Sequence, residues 1–536
     1  MELALPATFK PESTRLLRGV KFTDYKALLV CLSIGFFIRL IPELLAFSVP
    51  IGFDTIYYAV TMKSGVILPH WSAFFTSTWL LNAFIVPLSS LSQVDHFLLL
   101  KLVAPVLFGL NVTGVYWFAR KMLSWDMRMG LLAGVFFALQ LASLRISWDL
   151  LRNTLGLGIL LFALSYVKEV GSKRGFALFT VLSLLSVFAH EFAAVTLLAA
   201  VLGLLVWRLV KGRVDLASKR LLLGVLPALS VFSVGMYLRY FPVYHALGTN
   251  VISAGDAVGA HPGGLFFLVD YLRVQSSVDY YASYWNLALS VGVLFAVLFV
   301  PYLFLVVKGF FRNGVLNLWT ALLLVGAFGS LVIPFSSLLY WHRWMFMLVY
   351  PFTFYAVYGF NKLLQKSPKG KSPHSVWLFN KKAAAMIMLT FSLGIAYLAS
   401  PVSMVYANTS VPSASGTYLF FSNSPAVPYQ DVDGVVQAMG WLNNTMDSSS
   451  CVILQHAYQN WGELYLDKSR SIVTFENDVN MAVTTALTRN FSRVYFVWWN
   501  TQIGWYNVSV PDSFVRLRDF GRISVYVYGG EIVGGN

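Results

Sequence analysis

The sequence predicts a mainly α protein, a multi-pass transmembrane helix bundle of about 11 spans with a small extracytoplasmic α/β domain at its carboxyl end. Three observations carry this expectation. Of 536 residues, 57% are hydrophobic and only 12% are charged, whereas soluble domains carry about a quarter charged residues. Apolar runs long enough to cross a bilayer core recur along residues 1–400. Beyond Pro401 the pattern changes to short β-rich runs separated by helical stretches.

The spans fall at roughly 26–49, 97–118, 129–147, 150–167, 175–189, 192–207, 221–238, 287–307, 315–338, 344–360 and 383–400. Lys and Arg gather on the cytoplasmic side of such segments. With the amino terminus inside, the inner segments hold 24 of the 39 basic residues against six acids, Glu2, Glu12, Asp24, Asp126, Glu169 and Asp215. The net charge of +15 is therefore an orientation signal and gives no nucleic-acid footprint. The opening "MELALPATFKPESTRLLRG" lacks the apolar core and small-residue cleavage site of a signal peptide, so the first span is expected to be retained. An odd number of spans places the tail outside, where sequons at Asn408, Asn443, Asn490 and Asn507 would meet a glycosylation machinery. Asn111 opens another sequon, but it lies within an apolar span and is not expected to be modified. Cys31 in the first span and Cys451 in the tail are not expected to pair.

Two domains follow: a membrane module over 1–400 and an extracytoplasmic domain over 401–536. The outer segment 51–96 contains "HWSAFFTSTWLLNAFIVPLSSLSQ", apolar enough to resemble a crossing. Reading it as one would put every later basic loop outside, so it is expected to form interfacial helices on the outer leaflet. A second outer loop, from about 239 to 285, is rich in Gly, Pro and Tyr and reads as a connection. "QKSPKGKSPHS" reads as a basic linker facing anionic headgroups. In the tail, "CVILQ", "SIVTF", "RVYFVWW" and "ISVYVY" read as strands, with helices over Val432 to Met446 and Val479 to Arg489.

An ionisable residue near bilayer depth is costly, and it is retained where it is paired or functional. The outward acids ahead of the tail are Asp54, Asp95, Asp149, Glu191, Asp256, Asp270 and Asp279. Three of them mark outer ends of successive spans: Asp54 in "GFDTIYYA", Asp149 in "LRISWDLLRNTLGL" and Glu191 in "VFAHEFAAV". Such a set can converge on one extracytoplasmic cavity, with Tyr57, Tyr58, His190 and His342 as further lining candidates. A carboxylate within reach of a hydroxyl takes its proton as that oxygen attacks an electrophilic carbon. A second one orients the first, or holds a divalent cation against a phosphate. Asp149 and Arg152, three apart at the start of a helix, would share a face. Arg343 in "YWHRWMFMLVYP" is a planar donor suited to phosphate.

These residues resemble the GT-C superfamily of membrane glycosyltransferases, which includes protein O-mannosyltransferases, lipid A aminoarabinose transferases and oligosaccharyltransferase catalytic subunits. The resemblance lies in the acid of "GFDTIYYA" after span one, in "FARKML" at an inner face, in "SWDLLRN", in "HRWMFMLVYP" and in a soluble outer domain at the carboxyl end. It implies a polyprenyl (dolichyl or undecaprenyl) phosphate-sugar donor, a protein, lipid or glycan acceptor on the outer face, and inversion at the anomeric carbon. Asp54 falls on the family's first-loop acid, its proposed base; Asp149 falls on its second outward acid and Arg343 on a donor-phosphate ligand, with Arg152 beside it. Two departures stand out. Thr55 follows Asp54 where many members have a second acid, and the second motif holds one acid where metal-dependent members have two. The motifs therefore do not require a divalent cation, and the metal is left open. The WWDYG signature is missing, since "VWWNTQIGW" has Asn500 where an acid is needed, which argues against en bloc transfer to asparagine.

Plainer roles compete with these. Asp54 suits a helix N-cap, Asp149 a cap paired with Arg152, and Arg343 a headgroup-seeking side chain. The adjacent His190 and Glu191 would point to different sides of a helix, which disfavours a shared metal. A lone loop histidine such as His245 or His261 is usually no ligand. The rival function is a transporter or lipid-linked-sugar flippase, which needs polar or broken helices near the midplane.

Overall fold

Several helices of the long apolar stretches begin on side-chain caps. Asp95 accepts from the amides of Phe97 and Leu98, Asp126 from Met129, and Asn313 from Leu316. The computed structural model describes residues 22–46, 51–52, 54–240, 284–331, 341–365, 373–399, 427–475, 478–489, 491–500 and 509–529. Asp256, Asp270, Asp279, His245, His261, Asn408, Asn490 and Asn507 lie outside them.

The membrane module comprises α1 (Phe22–Leu45), α2 (Thr55–Ser64), α3 (Ala73–Thr76), α4 (Leu80–Ser92), α5 (His96–Lys121), α6 (Met127–Ala138), α7 (Leu141–Asp149), α8 (Leu151–Ser165), α9 (Lys173–Ala189), α10 (Glu191–Val210), α11 (Leu216–Tyr240), α12 (Tyr284–Gly309), α13 (Gly314–Phe328), α14 (Trp341–Met347), α15 (Val349–Gln365) and α16 (Pro373–Leu398). Among the described residues, each expected span is largely helical. By length and apolarity, however, five helices among the described residues can cross a membrane, or six if α6 and α7 count as one bent span. The expected count of about eleven is not reached, for definite reasons. The third span is broken by a 63° bend between α6 and α7. The fourth and ninth are 15-residue helices, α8 and α13, and the tenth is divided between α14 and α15.

Two close backbone crossings tighten the bundle. A Cβ on Gly35 would stand 2.7 Å from the Gly109 Cα, so α1 and α5 meet through glycines. A Cβ on Gly309 would collide with the Tyr355 carbonyl, and one on Gly359 with that of Leu305, so α12 and α15 do likewise. The main core packs Phe108, Val112, Phe137, Leu161, Trp319 and Tyr350. Asn111, 1% exposed, donates to the carbonyls of Leu107 and Thr154 at 2.9 and 2.7 Å and accepts from Tyr350 Oη at 2.7 Å. That buried amide ties α5, α8 and α15 together.

The segment between α1 and α5 forms α2 to α4. At 13 residues α4 is too short to span; it buries Leu81, Ile85 and Val86 and exposes Phe84, Leu88 and Leu91. A second core, including Tyr58, Ala59, Met62, Leu81, Leu100, Leu151 and Phe188, sets α2 and α4 on α5, α8 and α9.

In the tail, α17 (Val432–Thr445), β1 (Ser450–Gln455), α18 (His456–Tyr465), β2 (Ser471–Phe475), α19 (Val479–Thr488), β3 (Arg493–Trp499), β4 (Phe514–Phe520) and β5 (Ile523–Tyr528) form one layered unit. The sheet order is β2-β1-β3-β5-β4. β1 pairs in parallel with β2 (Ile453 opposite Val473) and β3 (Ile453 opposite Phe496), while β5 is antiparallel to β3 and β4. The buried apolar run of β1 is what a central parallel strand requires. β4, "FVRLRDF", escapes the sequence pattern because it is an edge strand with five exposed residues between Phe514 and Phe520. Cys31 and Cys451 are both buried and free.

The tail unit rests on α2. Ile56 is fully buried in the tail's core, and Phe97 meets Trp461 edge-on at 6.1 Å. Lys63 Nζ donates to the carbonyls of Glu463, Leu464 and Leu466 at 3.3, 2.8 and 2.9 Å. These carbonyls lie at the end of α18, where a cation is favoured.

Candidate active site

The first turn of α2 sets Asp54, Tyr57 and Tyr58 on one flank, at i, i+3 and i+4. Asp54 occupies the N-cap position, yet its carboxylate makes no capping hydrogen bond. The backbone explains why: capping side chains project from β-region residues, and Asp54 is helical at φ −80° and ψ −2°. Thr55 Oγ1 lies 2.5 and 2.6 Å from the carbonyls of Ile51 and Gly52 and is engaged there. Capping thus leaves Asp54 unexplained. Its charge reaches the Arg152 guanidinium, as the weakest influence there, behind burial, Tyr58 and Tyr57.

Arg152 stands in the first turn of α8. Its Nη2 donates to Tyr57 Oη at 2.9 Å, and its Cζ lies 5.0 and 5.6 Å from the ring centres of Tyr57 and Tyr58. Its backbone amide reaches Tyr58 Oη at 3.5 Å. The buried Nε makes no hydrogen bond. A guanidinium with a donor in hand is equipped for an anionic oxygen.

Asp149 and Arg152 do not share a helix face as the spacing predicts. The structure ends α7 at Asp149 and starts α8 at Leu151, and Leu150 (φ −85°, ψ 54°), not Asp149, occupies the N-cap position of α8. A break between two helices leaves carbonyls without intrahelical partners, and side chains take them here. Arg39 Nε donates to Ser147 O at 3.2 Å and Nη2 to Trp148 O at 3.5 Å. Thr154 Oγ1 reaches Ile146 O and Leu150 O at 3.1 and 2.9 Å. The backbone at Asp149 is held on both sides; its side chain lies outside the described residues.

His190 sits between α9 and α10, and its Nδ1 caps α10 by accepting from the Phe192 amide at 3.2 Å. A Cβ on Gly156 would stand 2.8 Å from His190 Cβ, so α8 presses directly on this junction. Burial, then the charges of Arg343 and Arg152, hold the imidazole well below its ordinary pKa, and it is neutral at physiological pH. Arg343 is half-buried on α14, whose Trp344 packs on Phe192 at 4.9 Å. The charge of Arg343 reaches His342 as well, together with that of Arg145. Arg152 is in contact with Tyr57 and Tyr58 and lies within the charge of Asp54, the charges of Arg152 and Arg343 reach His190, and that of Arg343 also reaches His342. Glu191 lines a cleft with Phe75, Thr76, Val187, Phe232 and Met236.

Among the described residues, no three His, Cys, Asp or Glu side chains converge; the positive charge of the site comes from arginines. Sequence reasoning missed Arg145, 5% exposed on α7 with Cζ 5.7 Å from the Phe346 ring. It also missed Arg39, Glu43 and Lys101. All four were legible as ionisable residues inside apolar spans.

No family model matches the chain, and no curated protein matches it. Among solved structures, the crystal structure of the Archaeoglobus fulgidus oligosaccharyltransferase in the apo form is similar with a TM-score of 0.52 at 13% identity, over 90% of this chain and 70% of that one. The cryo-EM structure of the arabinofuranosyltransferase AftD from Mycobacteria gives 0.46 at 12% identity, over 95% of this chain and 40% of that one. The first likeness shows that the chain shares its fold with that oligosaccharyltransferase, in agreement with the layout expected from the motifs.

Proposed function

We propose that the protein is an integral membrane glycosyltransferase that moves a sugar from a polyprenyl-phosphate donor to an acceptor hydroxyl on the extracytoplasmic face, inverting the anomeric carbon. The observation that carries this reading is the Arg152 guanidinium, held by Tyr57 with its buried Nε free of hydrogen bonds, within the charge of Asp54, which makes no capping bond. Asp54 takes the proton of the acceptor hydroxyl as its oxygen bonds to the anomeric carbon. The bond from that carbon to the phosphate oxygen breaks, and its electron pair leaves with the phosphate. Arg152 and Arg343 neutralise that charge, and Tyr57 and Tyr58 hold the Arg152 fork in place. His190, kept neutral, separates the two arginines without adding a third cation. The residues 51–96 serve as an interfacial platform, and the tail domain stands on the outer side above it.

A second reading, translocation of a lipid-linked sugar without transfer, draws on the 63° break between α6 and α7. One assay separates the two. Purified protein in nanodiscs receives a labelled polyprenyl-phosphate sugar and a panel of protein, lipid and glycan acceptors, wild type against Asp54→Asn. Transfer by the wild type, reduced by about a thousandfold or more in the variant, is expected. Equal transfer by both removes Asp54 from the mechanism; translocation across vesicles with no transfer favours the second reading.

A further inference from the structure

Three ionisable side chains near the outer end of α1 are shut inside the bundle: Arg39 is 0%, Glu43 3% and Lys101 5% exposed. They form a closed set. Glu43 Oε1 pairs with Arg39 Nη1 at 2.7 Å and Oε2 with Lys101 Nζ at 3.2 Å. Lys101 Nζ gives its other protons to the carbonyls of Glu43 and Ala46 at 2.9 and 2.8 Å. Arg39 gives Nε to the Ser147 carbonyl and Nη2 to the Trp148 carbonyl, and its Cζ stands 5.9 Å from the Trp148 ring.

Apolar residues would fill the same volume without desolvating three charges, and buried ion triads are often no more stable than such replacements. What distinguishes this triad is where its donors point. Ser147 and Trp148 immediately precede Asp149, and Ala46 ends the helix from which the chain runs to Asp54. One carboxylate, Glu43, thus connects the backbone ahead of both acids. We propose that Arg39, Glu43 and Lys101 are positioning residues that fix the α7–α8 break, and with it Asp149, relative to the Asp54 loop. The inference rests on the glycosyltransferase reading for its catalytic consequence, but not for its structural one. Arg39 is the link to the break: a planar fork spans two successive carbonyls and a carboxylate, whereas an ammonium at the same place cannot reach all three.

The test uses the full chain in nanodiscs with Arg39→Lys, which keeps the charge and can keep the Glu43 pair, and with the double variant Glu43→Gln, Lys101→Met. Hydrogen exchange is read on peptides covering 146–154 and, as a control, on the tail strands. Faster exchange in 146–154 alone is expected for Arg39→Lys, and unchanged exchange there overturns the proposal whether or not the protein transfers sugar. In the transfer assay, Arg39→Lys is expected to lower kcat about tenfold or more with donor KM within about twofold, and to displace the acidic limb of the pH–rate profile. A kcat unchanged from wild type, or a KM effect alone, overturns the catalytic consequence. If wild-type protein transfers no sugar, the functional reading fails and the exchange measurement alone decides whether the triad positions the break.

Discussion

The Arg152 guanidinium donates to Tyr57 Oη at 2.9 Å while its Cζ lies 5.0 Å from the centre of the same ring. The phenol therefore orients the arginine twice, by hydrogen bond and by its π face. Tyr57→Phe keeps the ring and removes the bond, and is expected to cost about 1 kcal/mol, a roughly fivefold loss in kcat/KM. Arg152→Lys removes the fork itself, and its loss should be larger, about tenfold or more. Sugar-transfer kinetics with a polyprenyl-phosphate donor check both; a Tyr57→Phe loss exceeding that of Arg152→Lys would show that the hydroxyl acts independently of the arginine.

Asn111 joins three helices through one amide. Asn111→Ala leaves the Thr154 carbonyl and the Tyr350 hydroxyl without it, and a loss of about 1–2 kcal/mol is expected. Thermal unfolding in detergent measures this. A variant as stable as wild type would mean that the two orphaned groups find other partners.

Lys63 holds the carboxyl end of α18 by three carbonyls. Lys63→Met retains the stem and deletes the donors, so the contact between α2 and the tail should weaken by about 1–2 kcal/mol. Faster hydrogen exchange in peptides spanning 456–466, with the rest of the sheet protected as before, is the expected signature. Uniform exchange across the tail would instead mean loss of the whole unit.

Asp447 accepts from Ser450 Oγ, Ser449 Oγ and the Ser449 amide at 2.7, 2.8 and 3.0 Å, and these bonds, that of the Ser450 side chain foremost, hold its carboxyl below the ordinary 3.8. A carboxyl lowered on folding stabilises the native state fully above its unfolded value, and that contribution is lost as pH falls from 3.8 through the native value. Asp447→Asn should therefore be less stable than wild type at pH 7 and converge with it below pH 3.8. Unfolding scans of both proteins from pH 7 downward test the sign; a gap that widens on acidification contradicts it.

The sequence pattern revealed chemistry where a charge stood at the end of an apolar run and concealed it where the charge lay inside one. Asp54, Arg152 and Arg343 were legible for the first reason. Arg39, Glu43, Lys101 and Arg145 were absorbed into spans, although Arg39 and Glu43 at i, i+4 form an ion pair that one helix makes by itself. The turn from span three to span four was placed at Asp149, but that residue was assigned to the start of the following helix, whereas it ends α7. The carbonyl ligands that permit the break come from residues far along the chain, such as Arg39. In the tail, strands with alternating or continuous apolar residues were found at Ser450–Gln455, Ser471–Phe475, Arg493–Trp499 and Ile523–Tyr528, and the charged edge strand was not.

The surroundings of α2 limit the directions of approach to Asp54. Ile56 and Lys63 are committed to the sheet unit above, and Tyr58, Ala59 and Met62 to the bundle below; of its ten residues only Tyr57 is exposed. Tyr57 is therefore the side chain of α2 that meets the surroundings, and in the proposed reaction it carries the Arg152 contact out to the exposed side of the helix.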